Sequence, residues 1–220
     1  MAIDEFLDLV RRRRTVRRYL DDPVSDEQID NIIEAGRWAP SGVNTQPWEF
    51  LIVRDRATIG DLASLWIADQ ALTEERDPTF SPSDKQYLKR VPVMIVVLAD
   101  TRCRRVYPRL NEETPDVIFH HSMAAAIQNM HLAAAAQGLG SVWLSVHPYM
   151  QGPLRKLLNV PPILDVEVVI PVGHPTREFE GRRRDTARMV HRELYDPSKL
   201  RDLAAFEEYL PANRAGRALE

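Results

Sequence analysis

The sequence predicts an α+β domain in which a central mixed β-sheet is flanked by helices and packs against one long buried helix. Helical and strand-like patterns follow one another in mixed order along the chain, which is typical of this fold class. The segment SMAAAIQNMHLAAAAQGLG (122–140) carries alanine and apolar residues nearly all the way round a helical wheel. Such a helix is covered on most sides, and its small side chains let a neighbouring element or a partner subunit approach closely.

The first two helices follow from apolar spacing and from a capping pattern. Residues 3–12 place Ile3, Phe6, Leu7 and Val10 at helical spacing. Ser25 is a good N-cap and Gln28 stands three positions later, which is a capping box. The apolar face of this second helix continues until Pro40 stops it.

The middle of the chain alternates strands with polar segments. WEFLIV (48–53) has the length and composition of a strand, and residues 57–68 have helical apolar spacing. Residues 69–90 are polar and predict a loop with short helical pieces, long enough for a lid. VPVMIVVLAD (91–100) predicts a strand that is covered on both faces. Residues 101–117 show no regular pattern.

The last third of the core follows the alanine-rich helix. Gly138 stands where a C-terminal cap is expected. SVWLSV (141–146) predicts a strand, residues 149–158 a short helix, and DVEVVIPV (165–172) another strand.

Length and composition favour one domain with a sizeable core. The chain has 220 residues, of which 44% are hydrophobic, and a formal charge of −3. We expect a single domain over residues 1–195 and a C-terminal extension over 196–220 that wraps around the partner subunit. The net charge offers no bulk attraction to nucleic acid or to an anionic membrane.

One cysteine and the character of the N-terminus bear on location. Cys103 is the single cysteine, which excludes an intrachain disulfide and favours a reducing compartment. It is either a reactive thiol beside three arginines or an incidental residue. MAIDEFLDLV carries three acidic residues where a signal peptide needs an apolar core, and no run reaches about 20 apolar residues. We expect a cytoplasmic protein.

Two arginine clusters are candidate anion sites. RRRRTVRRY spans residues 11–19, and GRRRD spans residues 181–185. Guanidinium groups bind phosphate through paired hydrogen bonds, and Thr15 can add a hydroxyl. The first cluster has another explanation, because residues 11–14 can offset the C-terminal dipole of the first helix. A nucleic-acid patch is a third alternative, which the net charge disfavours.

The loop APSGVNTQPWEF (39–50) is a second candidate site. Two prolines and a glycine restrict its backbone, while serine, asparagine and glutamine offer neutral hydrogen-bonding groups. Such a segment is either a plain connecting turn or a rigid rim around a polar, planar ligand.

Several common catalytic motifs are missing. GLG (138–140) is a fragment of a dinucleotide fingerprint and follows a helix, where the fingerprint follows a strand. Ser41 lacks the context of a nucleophile elbow. The histidines show no metal-ligand spacing, and His131 in the alanine-rich segment is expected to be a satisfied core histidine. With no nucleophile or acid/base pair, an enzyme of this sequence needs a cofactor.

Five segments resemble the nitroreductase family, the FMN-dependent homodimeric oxidoreductases, in order and spacing. They are RRTVRRY, APSGVNTQPWEF, RVPVMIVV, AAAIQNMHLAAAAQGLGSVWLSV and VVIPVGHP. The resemblance runs from about residue 9 to residue 194. It implies a dimeric nitroreductase-like fold and an FMN site at the subunit interface.

The resemblance also implies which residues bind the cofactor. The segment that holds the FMN phosphate and ribityl chain corresponds to Arg13, Arg14, Thr15 and Arg17. The loop beside the flavin, part of which reaches the cofactor of the other subunit, corresponds to Pro40, Ser41, Gly42, Asn44 and Gln46. Backbone groups that face the flavin ring correspond to Ser145 and Val146. The arginine that closes on the phosphate corresponds to Arg183, with Arg184 or Arg182 beside it.

Two positions depart from the family pattern. Ser145 and Val146 stand where one well-known branch has Glu-Gly, and Asp185 stands where many members have proline. The first departure leaves the subfamily and the exact ring contacts open.

The implied activity is a ping-pong reaction in which NADH or NADPH reduces the flavin and a flat acceptor such as a nitroaromatic or a quinone oxidises it. No residue is assigned as a catalytic acid, base or nucleophile, and no metal, nucleic acid or membrane is expected. We expect acceptor choice to depend on the segments 69–90 and 101–117. The alternatives are a specialised flavoenzyme of the same family, namely a deiodinase-like enzyme, a flavin-fragmenting enzyme or a biosynthetic dehydrogenase, and a non-catalytic FMN-binding protein.

Overall fold

A computed structural model describes residues 2–77, 83–177, 181 and 183–202 of the chain. The chain divides into two compact units. One unit comprises residues 1–65 and 86–180, and the other comprises residues 66–85 and 181–220. All strands and the long helix belong to the first unit. The sequence-based division at residue 195 stays a prediction.

The helices and strands of the described residues occur in mixed order. The helices are α1 (Ile3–Arg12), α2 (Asp26–Arg37), α3 (Arg56–Arg76), α4 (Thr114–Ala136) and α5 (Gln151–Leu158). The strands are β1 (Trp48–Val53), β2 (Val93–Asp100), β3 (Gly140–Ser141), β4 (Leu144–Ser145) and β5 (Leu164–Gly173). The bounds of α1 and β1 agree with the sequence-based prediction. The capping box of α2 is also confirmed, because Gln28 N–H donates to Ser25 Oγ at 3.1 Å.

The sheet runs in the order β1, β2, β5, β3, and β4 also pairs with β5. The pairings between these strands are antiparallel. A parallel bridge joins Thr15 to Ser141 at the β3 edge, so the sheet is mixed. Every residue of β2 from Val93 to Ala99 is buried, as expected of a strand covered on both faces. The predicted α+β class is confirmed.

The predicted strand 141–146 is divided into two short strands. Ser141 pairs with Val172 and Leu144 pairs with Val169, so both strands keep one register against β5. The gap between them lies opposite Pro171, whose carbonyl accepts the N–H of Val142 at 3.2 Å. Because proline has no N–H to donate, the ladder is interrupted there while the segment stays extended.

Helix α3 is longer than the sequence predicted. The expected helix covered residues 57–68, and residues 69–76 were assigned to the following loop, which was wrong. Those residues are alanine, glutamine, leucine, glutamate and other helix-compatible types, with no proline before Pro78. Gln70 Nε2 donates to Glu74 Oε1 at 2.9 Å across one helical turn. The rest of the predicted loop contains a short 3₁₀ turn at Gln86–Arg90.

Helix α4 also begins earlier than expected. Residues 101–117 were expected to be irregular, but they contain a 3₁₀ turn at Thr101–Val106 and the first turn of α4. The side chain of Asn111 caps this start, since its Oδ1 accepts the N–H of Thr114 at 2.7 Å. Pro115 occupies the first turn, where its missing N–H costs nothing.

The buried face of α4 forms the centre of the core. It packs with residues of α2, β2 and β5, and its buried members include Phe119, Met123, Ile127 and Met130. The opposite face stays exposed at Ala124 and Gln128 within the single chain. The helix ends in a Schellman motif, in which Gly138 has φ 73° and the Leu139 N–H donates to the Ala134 carbonyl at 2.9 Å. The predicted cap at Gly138 is confirmed.

Candidate functional site

The first arginine cluster leaves helix α1 and pairs with the edge of the sheet. Arg13 follows the last turn of α1 with φ −60° and ψ 119°, which ends the helix. Thr15 then bridges to Ser141, and the Val16 N–H donates to the Ser141 carbonyl at 3.1 Å. The side chain of Val16 is buried against Gly140, where any Cβ would lie 2.6 Å from it. The arginine segment is therefore held in place by backbone bonds and close packing.

A cavity of about 130 Å³ lies beside this segment. Its lining includes Arg12, Arg13, Arg14, Gly138, Ser141 and Arg177. The guanidinium of Arg14 donates through Nη1 to the Arg13 carbonyl at 2.8 Å. Its Nε is buried and has no hydrogen-bond partner among the described residues. An unsatisfied buried donor among several arginines suits an anionic oxygen ligand.

The dipole explanation applies to part of the cluster. Arg11 and Arg12 stand in the last turn of α1, and Arg12 forms an ion pair with Asp8 at 3.1 Å. These two residues therefore have the helix-end role that the sequence allowed. Arg13 and Arg14 lie beyond the helix, in the extended segment that faces the end of α4. They remain candidates for ligand binding.

His131 connects helix α4 to the same edge of the sheet. The side chain is only 4% exposed, and its Nδ1 lies 2.7 Å from Ser141 Oγ. The ring stacks on Trp143, with centroids 5.9 Å apart and an interplanar angle of 23°. Burial, with a further effect from the charge of Arg13, lowers the pKa of His131 to about 4. The imidazole is therefore neutral at neutral pH.

The expectation that His131 is a satisfied core histidine holds for one ring nitrogen only. Its Nε2 is buried and has no hydrogen-bond partner among the described residues. The sequence placed this residue on a helix but offered no sign that Ser141 would be its partner. A buried histidine followed ten residues later by a serine after a Gly-rich turn is the signal that was available.

The loop of residues 40–46 is held by its own hydrogen bonds and by α4. The Gly42 N–H donates to Ser122 Oγ at 3.0 Å, and the Gln46 N–H donates to Ser41 Oγ at 3.0 Å. Thr45 Oγ1 lies 2.6 Å from the Tyr107 hydroxyl. The loop thus rests on the segment between β2 and α4.

The backbone of this loop is strained. Val43, Asn44 and Gln46 all have positive φ, at 51°, 53° and 46°. For the β-branched Val43, which is 70% exposed, this conformation is unfavourable and needs support from its surroundings. Strain of this kind is common where a loop presents its groups to a ligand. Pro40, Asn44 and Gln46 are exposed, while Ser41 and Gly42 are half-buried.

The arginine segment and the loop contact opposite edges of the buried face of α4. Ser122 bonds the loop, and His131 bonds the sheet edge that carries the arginines. These two helix positions are nine residues apart, which is about 14 Å along the axis and about half a turn around it. The structure does not bring the two predicted groups into one cavity within a single chain.

The other predicted residues lie in two places. Ser145 stands in β4 with its side chain exposed, and Val146 follows it half-buried. Arg183 and Arg184 belong to the second unit and are exposed, and Arg184 Nη2 donates to the Arg188 carbonyl at 3.4 Å. Arg182 lies outside the described residues.

Two further findings concern metals and membranes. Within residues 2–77, 83–177, 181 and 183–202, no cluster of three or more histidine, cysteine or acidic side chains could hold a metal ion. His120 instead pairs with Glu167, at 2.9 Å. None of the helices in the described part of the chain combines the length and the hydropathy that crossing a bilayer requires.

Comparison with known proteins identifies relatives across most of the chain. Residues 10–174 match the model of the nitroreductase family. An Archaeoglobus fulgidus protein named "Putative NADH dehydrogenase/NAD(P)H nitroreductase" is 34% identical over 198 residues, which cover 88% of this chain and all of that protein. Rat iodotyrosine deiodinase 1 is 31% identical over 194 residues, covering 80% of this chain and 64% of the deiodinase.

Solved structures show the same fold. A protein from Desulfovibrio desulfuricans, solved in complex with FMN, is 34% identical, with a TM-score of 0.66 over 86% of this chain and 97% of that one. An oxidized iodotyrosine deiodinase bound to FMN and 3-iodo-L-tyrosine is 26% identical, with a TM-score of 0.70 over 86% and 99% of the two chains. The sequence match, the shared fold and the coverage agree, and the chain belongs to the nitroreductase family.

Proposed function

We propose that this chain is an FMN-dependent oxidoreductase that takes reducing equivalents from NADH or NADPH and transfers them to a flat acceptor such as a nitroaromatic or a quinone. The observation that carries the proposal is the buried, unpartnered Nε of Arg14 in a cavity lined by arginines. Family membership and two similar structures that contain FMN supply the identity of the ligand.

The donors around this cavity fit the phosphate of FMN. Arg13 and Arg14 lie in an extended segment outside helix α1, and Thr15 and Arg17 continue it. Guanidinium and hydroxyl groups are the donors that a phosphate dianion prefers. We assign the phosphate and ribityl chain to these four residues, with Arg183 and Arg184 as further candidates from the second unit.

The neighbouring strand segment suits the ring. Ser141 pairs with the arginine segment, and Ser145 lies four extended residues further, which is about 13 Å along the strand. A ligand with an anion at one end and a planar ring at the other spans such a distance. We assign the ring to the neighbourhood of Ser145 and Val146.

Bound FMN supplies the redox chemistry, because its ring accepts a hydride from a nicotinamide and passes the electrons to an acceptor. The protein binds and orients the reactants. His131 and Ser141 hold the strand segment, the arginines compensate the phosphate charge, and the strained loop of residues 40–46 presents neutral polar groups. None of these side chains needs to act as an acid, base or nucleophile.

We further propose that the working form is a homodimer with the cofactor between the two subunits. Within one chain, the loop and the arginines face opposite edges of α4, so the loop of one subunit suits the cofactor of the other. Helix α1 also lacks buried residues, and its apolar positions Ile3, Phe6, Leu7 and Val10 are exposed in the single chain. A second copy would cover this apolar surface.

The main alternative is a more specialised reaction on the same cofactor. The deiodinase relatives favour a reductive dehalogenation of an iodinated aromatic substrate. Both reactions use the same reduced flavin and differ in the acceptor. Acceptor choice therefore separates them, and we place it in the segments 69–90 and 101–117, of which residues 78–82 lie outside the described structure.

Three measurements test the proposal. Purified protein should be yellow, with flavin absorbance near one FMN per chain, and it should sediment as a dimer. After reduction by NADH or NADPH in an anaerobic stopped-flow instrument, nitroaromatic and quinone acceptors should reoxidise the flavin faster than iodotyrosine does. Colourless protein that cannot be reconstituted with FMN would overturn the proposal, and a folded, flavin-loaded monomer would overturn the shared site.

A further inference from the structure

We propose that His131 is a positioning residue for the cofactor site, holding the segment Ser141–Ser145 against both helix α4 and the arginine segment. This inference rests on the proposed FMN-dependent function and adds to it a residue that no family resemblance assigned. His131 acts through Ser141 and Trp143 and does not itself touch the reacting atoms.

Ser141 is the point where three parts of the site meet. Its hydroxyl lies 2.7 Å from His131 Nδ1, and its carbonyl accepts the Val16 N–H at 3.1 Å. Its backbone also pairs with Val172 of β5. A shift of Ser141 therefore moves the arginine segment relative to the sheet. The bond to His131 is the side-chain contact that opposes such a shift from the helix side.

The imidazole ring also holds the next residue on the same face of the segment. Side chains alternate along an extended chain, so Ser141, Trp143 and Ser145 share one face. His131 bonds the first of these residues and stacks on the second. Val142 and Leu144 point the other way and are buried. The third residue on the face of His131 is Ser145, which we assign to the flavin ring.

The chemistry of an imidazole suits this position. Arg13 is close enough for its charge to act on the ring, so a second cation here would be repelled. A neutral imidazole avoids that repulsion and still offers a polar nitrogen to Ser141. Phenylalanine could fill the space and stack on Trp143, but it could not make the hydrogen bond.

A purely structural role for His131 is the competing explanation. A core histidine that only fills space would affect the stability of the apoprotein and leave its affinity for FMN unchanged. A positioning residue affects the affinity, and a side chain that restores the hydrogen bond also restores the affinity. Asparagine places its amide group near the position of Nδ1, whereas phenylalanine keeps only the ring.

The test compares His131→Phe, His131→Asn, Ser141→Ala and the double variant His131→Phe/Ser141→Ala. His121→Ala, which changes an exposed histidine of the same helix, is the matched control. Apoprotein of each variant is titrated with FMN by flavin fluorescence, and the thermal midpoint of each apoprotein is measured separately. The visible spectrum of the bound flavin reports changes around the ring.

The expected result is a rise of about tenfold in the Kd for FMN in His131→Phe and in Ser141→Ala, which corresponds to the loss of one hydrogen bond. His131→Asn should recover most of the affinity, and the double variant should be no weaker than the single variants. His121→Ala should bind like the wild type.

Unchanged Kd values in both His131→Phe and Ser141→Ala, with lower thermal midpoints, would overturn the positioning role. If His131→Phe does not fold, Ser141→Ala still decides the question, because it removes the same bond from the other side. The titration of wild-type protein tests the proposed function independently. Wild-type protein that does not bind FMN refutes that function, whereas wild-type binding with unaffected variants refutes only the role of His131.

Discussion

The backbone N–H of Gly42 donates to the hydroxyl of Ser122 at 3.0 Å, and Ser122 in turn donates to the Ile118 carbonyl at 2.8 Å. The strained loop is therefore tied directly to helix α4. The contact leaves no room for a side chain at residue 42. A Cβ there would lie 2.2 Å from Ile118 Cγ2 and 3.2 Å from Tyr107 Cε1.

We accordingly predict that Gly42→Ala displaces the loop and lowers the free energy of unfolding by about 1–3 kcal/mol, the usual cost of overpacking. Urea unfolding measures the stability, and flavin content after purification reports the effect on the site. Gly60→Ala is the matched control. Its Cβ would meet nothing within 4 Å, so this helical position should gain up to about 1 kcal/mol. A Gly42→Ala protein as stable as the wild type would contradict the contact.

The arginine segment leads to a prediction about cofactor affinity. The double variant Arg13→Ala/Arg17→Ala should bind FMN more weakly by about 2–5 kcal/mol, because charged contacts to the phosphate are lost. Gel filtration of the loaded protein followed by flavin absorbance is the simplest measurement. Arg11→Ala/Arg109→Ala removes the same charge from exposed positions and should retain FMN. Retention of flavin by the first variant would disprove the phosphate assignment.

The buried state of His131 leads to a prediction about pH. Its pKa is lowered from the ordinary value of 6.5 to about 4, mainly by burial and also by the charge of Arg13. Between these two values the unfolded chain binds a proton that the folded chain does not, so stability falls as the pH falls. The loss attributable to His131 should be about 2 kcal/mol between pH 7 and pH 5.

Urea unfolding of apoprotein at several pH values checks this prediction. His131→Phe has no proton to bind at this position, so its stability should depend less on pH over the same range. The difference between the wild type and this variant isolates the contribution of His131 from that of the acidic residues. Equal pH dependence in the two proteins would show that the folded state accepts the proton without cost.

The fold could be predicted where local signals coincide with tertiary demands. The capping box of Ser25 and Gln28 marks the start of α2, and the alternation of strand residues marks β1. The start of α4 could not be predicted in the same way. Its cap comes from the side chain of Asn111, which lies outside the expected spacing, and Pro115 hid the helix rather than announcing it.

The site was predictable as residue types and less so as contacts. Arginines beyond a helix end indicate an anion ligand from sequence alone. The partner of Ser41 is a different matter, because its hydroxyl accepts the Gln46 N–H only through a turn with positive φ at Val43 and Asn44. Valine rarely adopts that conformation, so the sequence argued against the turn that the structure contains. The His131–Ser141 bond likewise depends on how the chain folds back after Gly138.

The count of residues between Ser122 and His131 acts as a ruler for the whole site. Helix α4 is rigid, so adding or removing one residue between them would turn one end by about 100° relative to the other and shift it by about 1.5 Å. Side chains on the outer face of that stretch can change freely without altering this measure. Its length cannot drift, because the loop and the arginine segment would then no longer match the same pair of subunits.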